Sequence, residues 1–108
     1  MSEEINKTPV AVEVQGPEKL DKCTVRIKGD KEVTMPRYCK VDRGGVLEYL
    51  RIKGRISCWL IPGTAAFGTT TLKTLTAYEA EHAVPVTREE WVTQVAAALR
   101  KQYDLLIL

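Results

Sequence analysis

Three short turns divide the middle of the chain into strand-length segments, and they constrain its fold more than any other feature. The turns are predicted at residues 29–32, 42–45 and 53–55, where the sequence reads GDKE, DRGG and KGR. Glycine adopts the positive φ angles that tight reversals need. Segments joined by such turns pair as antiparallel neighbours, so the sequence predicts an antiparallel sheet.

The segments between the turns have the composition of short strands. In residues 23–29, Cys23, Val25 and Ile27 alternate with polar side chains, which is typical of a half-buried strand. We predict further strands over residues 10–14, 33–41 (interrupted at Pro36), 46–52, 56–61 and 69–78. Residues 79–84 fit either the end of the last strand or a helical turn.

The last part of the chain predicts one amphipathic helix over residues 88–103. It begins with a capping box, in which Thr87 and Glu90 would satisfy each other's backbone N–H groups. An apolar stripe follows at spacings of three, four and four residues, and we expect it to pack on the sheet: Val92, Val95, Leu99 and Tyr103. The terminal stretch LLIL, 105–108, either prolongs the helix or extends away from it. We expect it to be buried within the domain, or otherwise in a dimer.

Together these elements predict an α+β fold, with an antiparallel sheet of about five or six short strands packed against one C-terminal helix. A length of 108 residues fits one domain. We place the globular domain at residues 9–108. Residues 1–8 are charged and lack periodicity, so they are predicted to be a disordered N-terminal arm.

The register of the hairpin around Gly54 decides which side chains share a surface. A three-residue loop, Lys53 to Arg55, would pair Ile52 with Ile56 and Leu50 with Cys58, giving one nearly apolar face. The other face would then carry Tyr49 opposite Trp59, with Arg51 beside them. A two-residue loop that pairs Ile52 with Arg55 would mix polar and apolar groups on both faces. Because burial selects register strongly, we favour the three-residue loop.

Charge and cysteine content restrict the function classes. The net charge is only +2, but residues 37–55 hold six basic and two acidic side chains, a local excess of +4. The start of the chain is acidic and polar and lacks the pattern of a secretory signal, and no apolar run is long enough to span a membrane. Three cysteines, an odd number at wide spacings, fit neither a disulfide framework nor a zinc site. We therefore expect a cytoplasmic protein with reduced cysteines.

The basic excess and two aromatic residues suggest a binding surface on the same hairpin. The candidate binding residues are Arg43, Tyr49, Arg51, Lys53, Arg55 and Trp59. Sheets that bind single-stranded nucleic acid combine aromatic side chains that stack on bases with cations that contact phosphates. Alternatively, Tyr49 and Trp59 form core packing beneath the helix, which is the commoner use of such a pair.

Few residues of this sequence are suited to enzymatic catalysis. Cys39 lies between Arg37 and Lys40, which would favour a thiolate, and His82 is the single histidine that could act as its base. Glu79, Glu81 and His82 do not converge if they lie on a strand, so no metal site is predicted. No phosphate-binding loop is present, and no cofactor is expected.

The sequence therefore favours a small non-enzymatic module that acts through protein–protein contacts, as an accessory or inhibitor-type protein. A homodimer through an edge strand or the C-terminal tail is one form of such contact. Single-stranded nucleic-acid binding is the alternative, and a cysteine-dependent enzyme is the third hypothesis. The short length would suit a gene of a phage or another mobile element.

Overall fold

The computed structural model describes residues 21–108. It contains seven strands and two α-helices: β1 (Lys22–Arg26), β2 (Glu32–Pro36), β3 (Tyr38–Arg43), β4 (Val46–Lys53), β5 (Ile56–Leu60), β6 (Phe67–Thr71), α1 (Ala77–Glu81), β7 (Val84–Pro85) and α2 (Arg88–Ile107). The predicted N-terminal arm, 1–8, and the predicted strand at 10–14 lie outside the described residues.

The strands form two antiparallel sheets. Five of them make the larger sheet, in the order β6-β5-β4-β3-β7, while β1 and β2 pair separately. The α+β prediction is confirmed. The segment 33–41, predicted as one interrupted strand, is two strands in different sheets. Its interruption lies where β2 ends, at Pro36, which cannot donate a backbone hydrogen bond to a ladder.

Glycines form the tight turns of the larger sheet. Gly44 and Gly45 both have positive φ, at 67° and 91°, which is the pattern of a type I′ turn. At the next hairpin Gly54 has a φ of 63° whereas Arg55 does not have a positive φ, as in a type II′ turn. Both loops therefore contain two residues, and two-residue loops of these types match the twist of the flanking strands.

The predicted register of the second hairpin is wrong by one residue. Lys53 pairs with Ile56, and Tyr49 pairs with Leu60 rather than with Trp59. Since a one-residue shift moves side chains to the other face, Tyr49 and Trp59 lie on opposite faces of the sheet. The prediction failed because it assumed a single apolar face, whereas the larger sheet is buried on both.

One face of the larger sheet packs against the two-stranded sheet. Leu50 and Ile52 from β4 are buried there together with Cys39 from β3. The opposing layer consists of apolar side chains from β1 and the residue after it, from β2 and from the segment after β6: Val25, Ile27, Met35, Leu72, Leu75 and Ala80. This layer forms the main core, and Trp59 packs against its edge.

The other face packs against α2. Tyr38, Tyr49 and Leu60 are buried there with Val86 and Trp91. This second core is smaller than the first, since α2 covers only part of the face. Exposed side chains on the same face include Phe67 and Ile56.

The segment between β6 and α2 differs from the prediction. The strand predicted over 69–78 ends at Thr71, and a short 3₁₀ turn and α1 follow. Thr76 and Glu79 form a capping box, with hydrogen bonds of 3.1 Å and 3.0 Å between each side chain and the other's backbone N–H. This Thr-x-x-Glu signal is visible in the sequence, and it resolves the ambiguity of residues 79–84.

Helix α2 begins as predicted but runs further and packs through a different side. The Thr87 hydroxyl accepts a hydrogen bond from the Glu90 N–H at 2.9 Å, and the helix continues to Ile107. The predicted core stripe is wrong, because Val92, Leu99 and Tyr103 are 45%, 52% and 53% exposed. The expected burial of the tail within the domain is also wrong, since residues 105–108 are 63% to 85% exposed.

Candidate functional site

Helix α2 is attached to the sheet at several points along its length. Before its start, the Val86 N–H donates to the Tyr38 carbonyl at 3.0 Å. Near its other end, Gln102 Nε2 donates to the Ala65 carbonyl, in the loop after β5, at 3.1 Å. The helix therefore runs from β3, across β4 and β5, to that loop, and it packs through one side only, where Trp91 and Ala98 are buried.

A second apolar face of α2 is uncovered. It consists of five exposed side chains that we call the α2 seam: Val92, Ala96, Leu99, Tyr103 and Leu106. Their spacings are four, three, four and three residues, the alternation found where two helices pack along a coiled-coil interface. At 100° per residue this face is turned by about 90° from the side that packs on the sheet.

An apolar groove lies beside the α2 seam. It has a volume of about 360 Å³, and Val95 and Leu99 form its helical wall. Cys58, Leu60 and Phe67 from β5 and β6 contribute to its lining. No charged side chain lines this groove among the residues that the structure describes. It is therefore a mainly apolar depression between a helix and a sheet.

A smaller recess of about 230 Å³ adjoins the same flank of α2 nearer its N-terminus. It is lined by Val92 of the seam and by Tyr38, Arg51 and Arg88, and it shares Trp91 and Val95 with the apolar groove. Within residues 21–108, neither depression is lined by a carboxylate. The recess thus adjoins the apolar groove and adds two guanidinium groups at its N-terminal end.

Arg51 carries an unsatisfied donor in this recess. Its Nε is buried and has no hydrogen-bond acceptor in the described part of the chain. A buried donor without an acceptor is costly. The rest of the guanidinium lines the recess, where its N–H groups are suited to bind an oxygen of another molecule. Lys53 follows on the same strand face and is exposed at the hairpin tip, as is Arg55 in the turn.

Of the other predicted binding residues, Arg43 does not join this site, whereas Trp59 lines the groove although it packs against the main core. Arg43 is held by Glu79 at 3.1 Å and by Glu48 at 3.5 Å, so its role is to connect α1 to the sheet. Trp59 lies on the opposite face of the sheet from Tyr49, against the main core. The structure thus places Arg51 and Trp59 at the two depressions and leaves Arg43 elsewhere.

Tyr49 is a structural residue beneath α2. It is only 6% exposed, and its hydroxyl donates to Glu90 Oε2 at 2.5 Å. The bond to the carboxylate, together with burial, raises the pKa of Tyr49 to about 12. A side chain that is buried and bonded in this way is unable to stack on a base.

The residues considered for catalysis are not arranged for it. Cys39 is buried, and desolvation raises the pKa of its thiol to about 12, so the thiolate is absent at neutral pH. The exposed His82 ring stacks on Tyr78 instead, with ring centroids 4.0 Å apart. Among residues 21–108, no group of three or more acidic, histidine or cysteine side chains is placed to hold a metal ion.

The α2 seam has a sequence signal that the predicted stripe missed. The stripe joined Val92, Val95 and Leu99, which mixes the sheet-facing side with the uncovered one. Counting Ala96 as an apolar interface residue separates the two faces of the helix. The prediction read this alanine only as a residue of high helix propensity, although alanine also fits an interface position. Which of the two apolar faces meets the sheet is decided by the fold.

No protein-family model, curated protein or solved structure matches this chain. Within residues 21–108, no helix is both long enough and apolar enough to cross a membrane. Functional conclusions therefore depend on the geometry of the groove and the α2 seam.

Proposed function

We propose that this chain is a small non-enzymatic protein-binding module, of the accessory or inhibitor type, and that its contact surface is the α2 seam with the adjoining groove. One observation carries this proposal: a 20-residue helix leaves an apolar face uncovered along its length. Contiguous apolar patches of this kind mark interaction sites in proteins, whereas scattered apolar side chains do not.

Burial and chemistry support a contact surface over an enzyme site. The groove offers mainly apolar contact area, and no carboxylate, histidine or lysine among residues 21–108 lines it, which resembles the composition of the centre of a protein interface. The half-buried Arg51 and the exposed Arg88 lie at its end, where charges affect the choice of partner more than the affinity.

A matched pair of baits tests this function. Leu105 and Leu106 are 76% and 75% exposed neighbours, but only Leu106 belongs to the α2 seam. We expect wild type and Leu105→Gln to retain the same proteins from a nuclease-treated lysate of the source cells, and Leu106→Gln and Leu99→Gln to lose them. Identical protein profiles from all four baits would contradict the proposal.

Single-stranded nucleic-acid binding remains the alternative hypothesis, without an observation that favours it. It requires an exposed aromatic pair, and Tyr49 is buried. If wild type captures proteins from an untreated lysate but not from the nuclease-treated one, the alternative gains support, since nuclease leaves a direct protein contact unaffected.

We also infer a cytoplasmic location. The support is that all three cysteines of the chain, Cys23, Cys39 and Cys58, are unpaired. Free thiols are typical of proteins in reducing compartments.

A further inference from the structure

We propose that the partner segment is an amphipathic α-helix with carboxylates beside its apolar stripe, which lies along the α2 seam and over the groove. This inference rests on the proposed function and names the chemistry of the partner. Three observations carry it: the spacing of the seam, the shape of the groove and the distribution of charge around it.

The spacing of the α2 seam favours a helix over a strand. Side chains that alternate at four and three residues present holes that another helix fills with side chains of the same period. From Val92 to Leu106 the seam covers about 21 Å of helix, so two heptads of a partner match it.

The groove supplies a second wall for that helix. A helix placed beside α2 lies over the exposed part of the larger sheet, where Cys58 and Phe67 contribute to the lining of the groove. Its apolar stripe would therefore contact both α2 and the sheet, as when an amphipathic helix binds in a hydrophobic groove.

Charge complementarity selects an acidic partner. Arg51 and Arg88 line the recess at the N-terminal end of the groove, and no carboxylate within residues 21–108 lines either depression. A carboxylate of the partner would form a charge-assisted hydrogen bond with the part of the Arg51 guanidinium that lines the recess.

A second copy of α2 fits this site less well. If two α2 helices paired in parallel about a two-fold axis, each would turn the side that carries Thr93 and Arg100 towards the apolar floor of its partner's groove. If they paired antiparallel, the two sheets would lie on the same side of the helices. Each helix would then lie over the other chain's sheet, in the space that its own sheet must occupy.

Two synthetic peptides test the proposal with the full chain. Both have three heptads with leucine at the two interface positions, and the flanking positions carry glutamate in one peptide and lysine in its twin. We expect the glutamate peptide to bind at least tenfold more tightly than the lysine peptide by fluorescence anisotropy, with a difference that shrinks as salt increases. Leu106→Gln should weaken binding of the glutamate peptide at least tenfold, Leu105→Gln should leave it unchanged, and Arg51→Met should reduce the preference for glutamate.

Several outcomes would overturn this assignment. Equal binding of the two peptides, or no binding of either, excludes an acidic helix as the partner. An equal loss of glutamate-peptide binding in Leu105→Gln and Leu106→Gln excludes it as well. A concentration-dependent dimer that Leu106→Gln dissociates in sedimentation identifies a second copy as the occupant. Displacement of the probe by a peptide of residues 1–20 identifies the chain's own N-terminal segment. In each case, loss of captured proteins in Leu106→Gln but not in Leu105→Gln would still support the protein-binding function.

Discussion

The Tyr49 hydroxyl donates a hydrogen bond to Glu90 Oε2 at 2.5 Å and thereby ties the middle of the sheet to the first turn of α2. Glu90 is the residue expected to complete the capping box with Thr87. Only half of that box forms: the Glu90 backbone N–H donates to the Thr87 hydroxyl, whereas the Glu90 carboxylate accepts from Tyr49 in the sheet. The local signal for a helix start therefore also serves as the anchor that orients the helix.

Replacing Tyr49 by phenylalanine should destabilise the fold at neutral pH by about 1–3 kcal/mol, since a hydrogen bond to a charged group is lost beneath α2. The pKa of Tyr49 is raised from 10.0 to about 12 on folding. Its contribution is therefore complete below pH 10 and lost as the pH rises towards 12. Urea unfolding of wild type and Tyr49→Phe should show a stability difference that narrows across this interval. If the stability difference between wild type and Tyr49→Phe does not change with pH in this interval, the assigned hydrogen bond from Tyr49 to Glu90 is wrong.

The two apolar faces of α2 should differ sharply in their effect on stability. Trp91→Ala removes a side chain that is buried against the sheet and should cost about 3–5 kcal/mol. Val92→Ala, at the next residue but on the α2 seam, should cost less than about 1 kcal/mol. Thermal unfolding followed by circular dichroism measures both. Similar losses would mean that the seam is packed within the domain.

Gly68 should resist substitution because Trp59 packs against it. A Cβ added at Gly68 would lie 3.1 Å from the indole Cζ2 of Trp59, closer than ordinary contact. Gly68→Ala should therefore displace the indole, shift the tryptophan fluorescence and lower stability by about 1–3 kcal/mol. In a Trp59→Phe background the same substitution should cost less, and additive effects of the two changes would argue against the contact.

Cys39 should be the least reactive of the three cysteines in the folded protein. Burial raises the pKa of its thiol to about 12, whereas Cys23 and Cys58 are half-buried. At mildly alkaline pH, iodoacetamide should label Cys39 only as the chain unfolds, which peptide mass spectrometry in the presence and absence of urea would detect. Labelling of Cys39 at the same rate with and without urea would reopen the cysteine-dependent enzyme as a hypothesis.

Local signals predicted the elements of this fold well. The glycine turns placed the reversals at Gly44 and Gly54, and Thr87 placed the start of α2. These features depend on φ angles and on hydrogen bonds within a few residues, so a single sequence contains them. Thr76 and Glu79 form the same kind of capping signal at the start of α1, but the strand predicted over residues 69–78 extended past Thr76 and the signal was missed.

Predictions that required knowledge of distant neighbours failed or were incomplete. The register of the hairpin at Gly54 was chosen by matching apolar residues on one face, but β4 is buried on both faces and supplies Tyr49 to one core and Leu50 to the other. Of the candidate binding residues, Arg51 lies at the groove, whereas Arg43 is engaged by Glu79 from a segment 36 residues away. Neither environment is encoded in local spacing.

By itself, the sequence determined that the chain reverses at its glycines, forms antiparallel strands and ends in a helix, because backbone geometry and capping act over short distances. The tertiary structure alone decided that Trp91 rather than Val92 meets the sheet, and hence that the α2 seam remains exposed. Helix α2 has more apolar surface than one sheet can cover, so the direction in which it crosses the strands determines which side stays available to a partner.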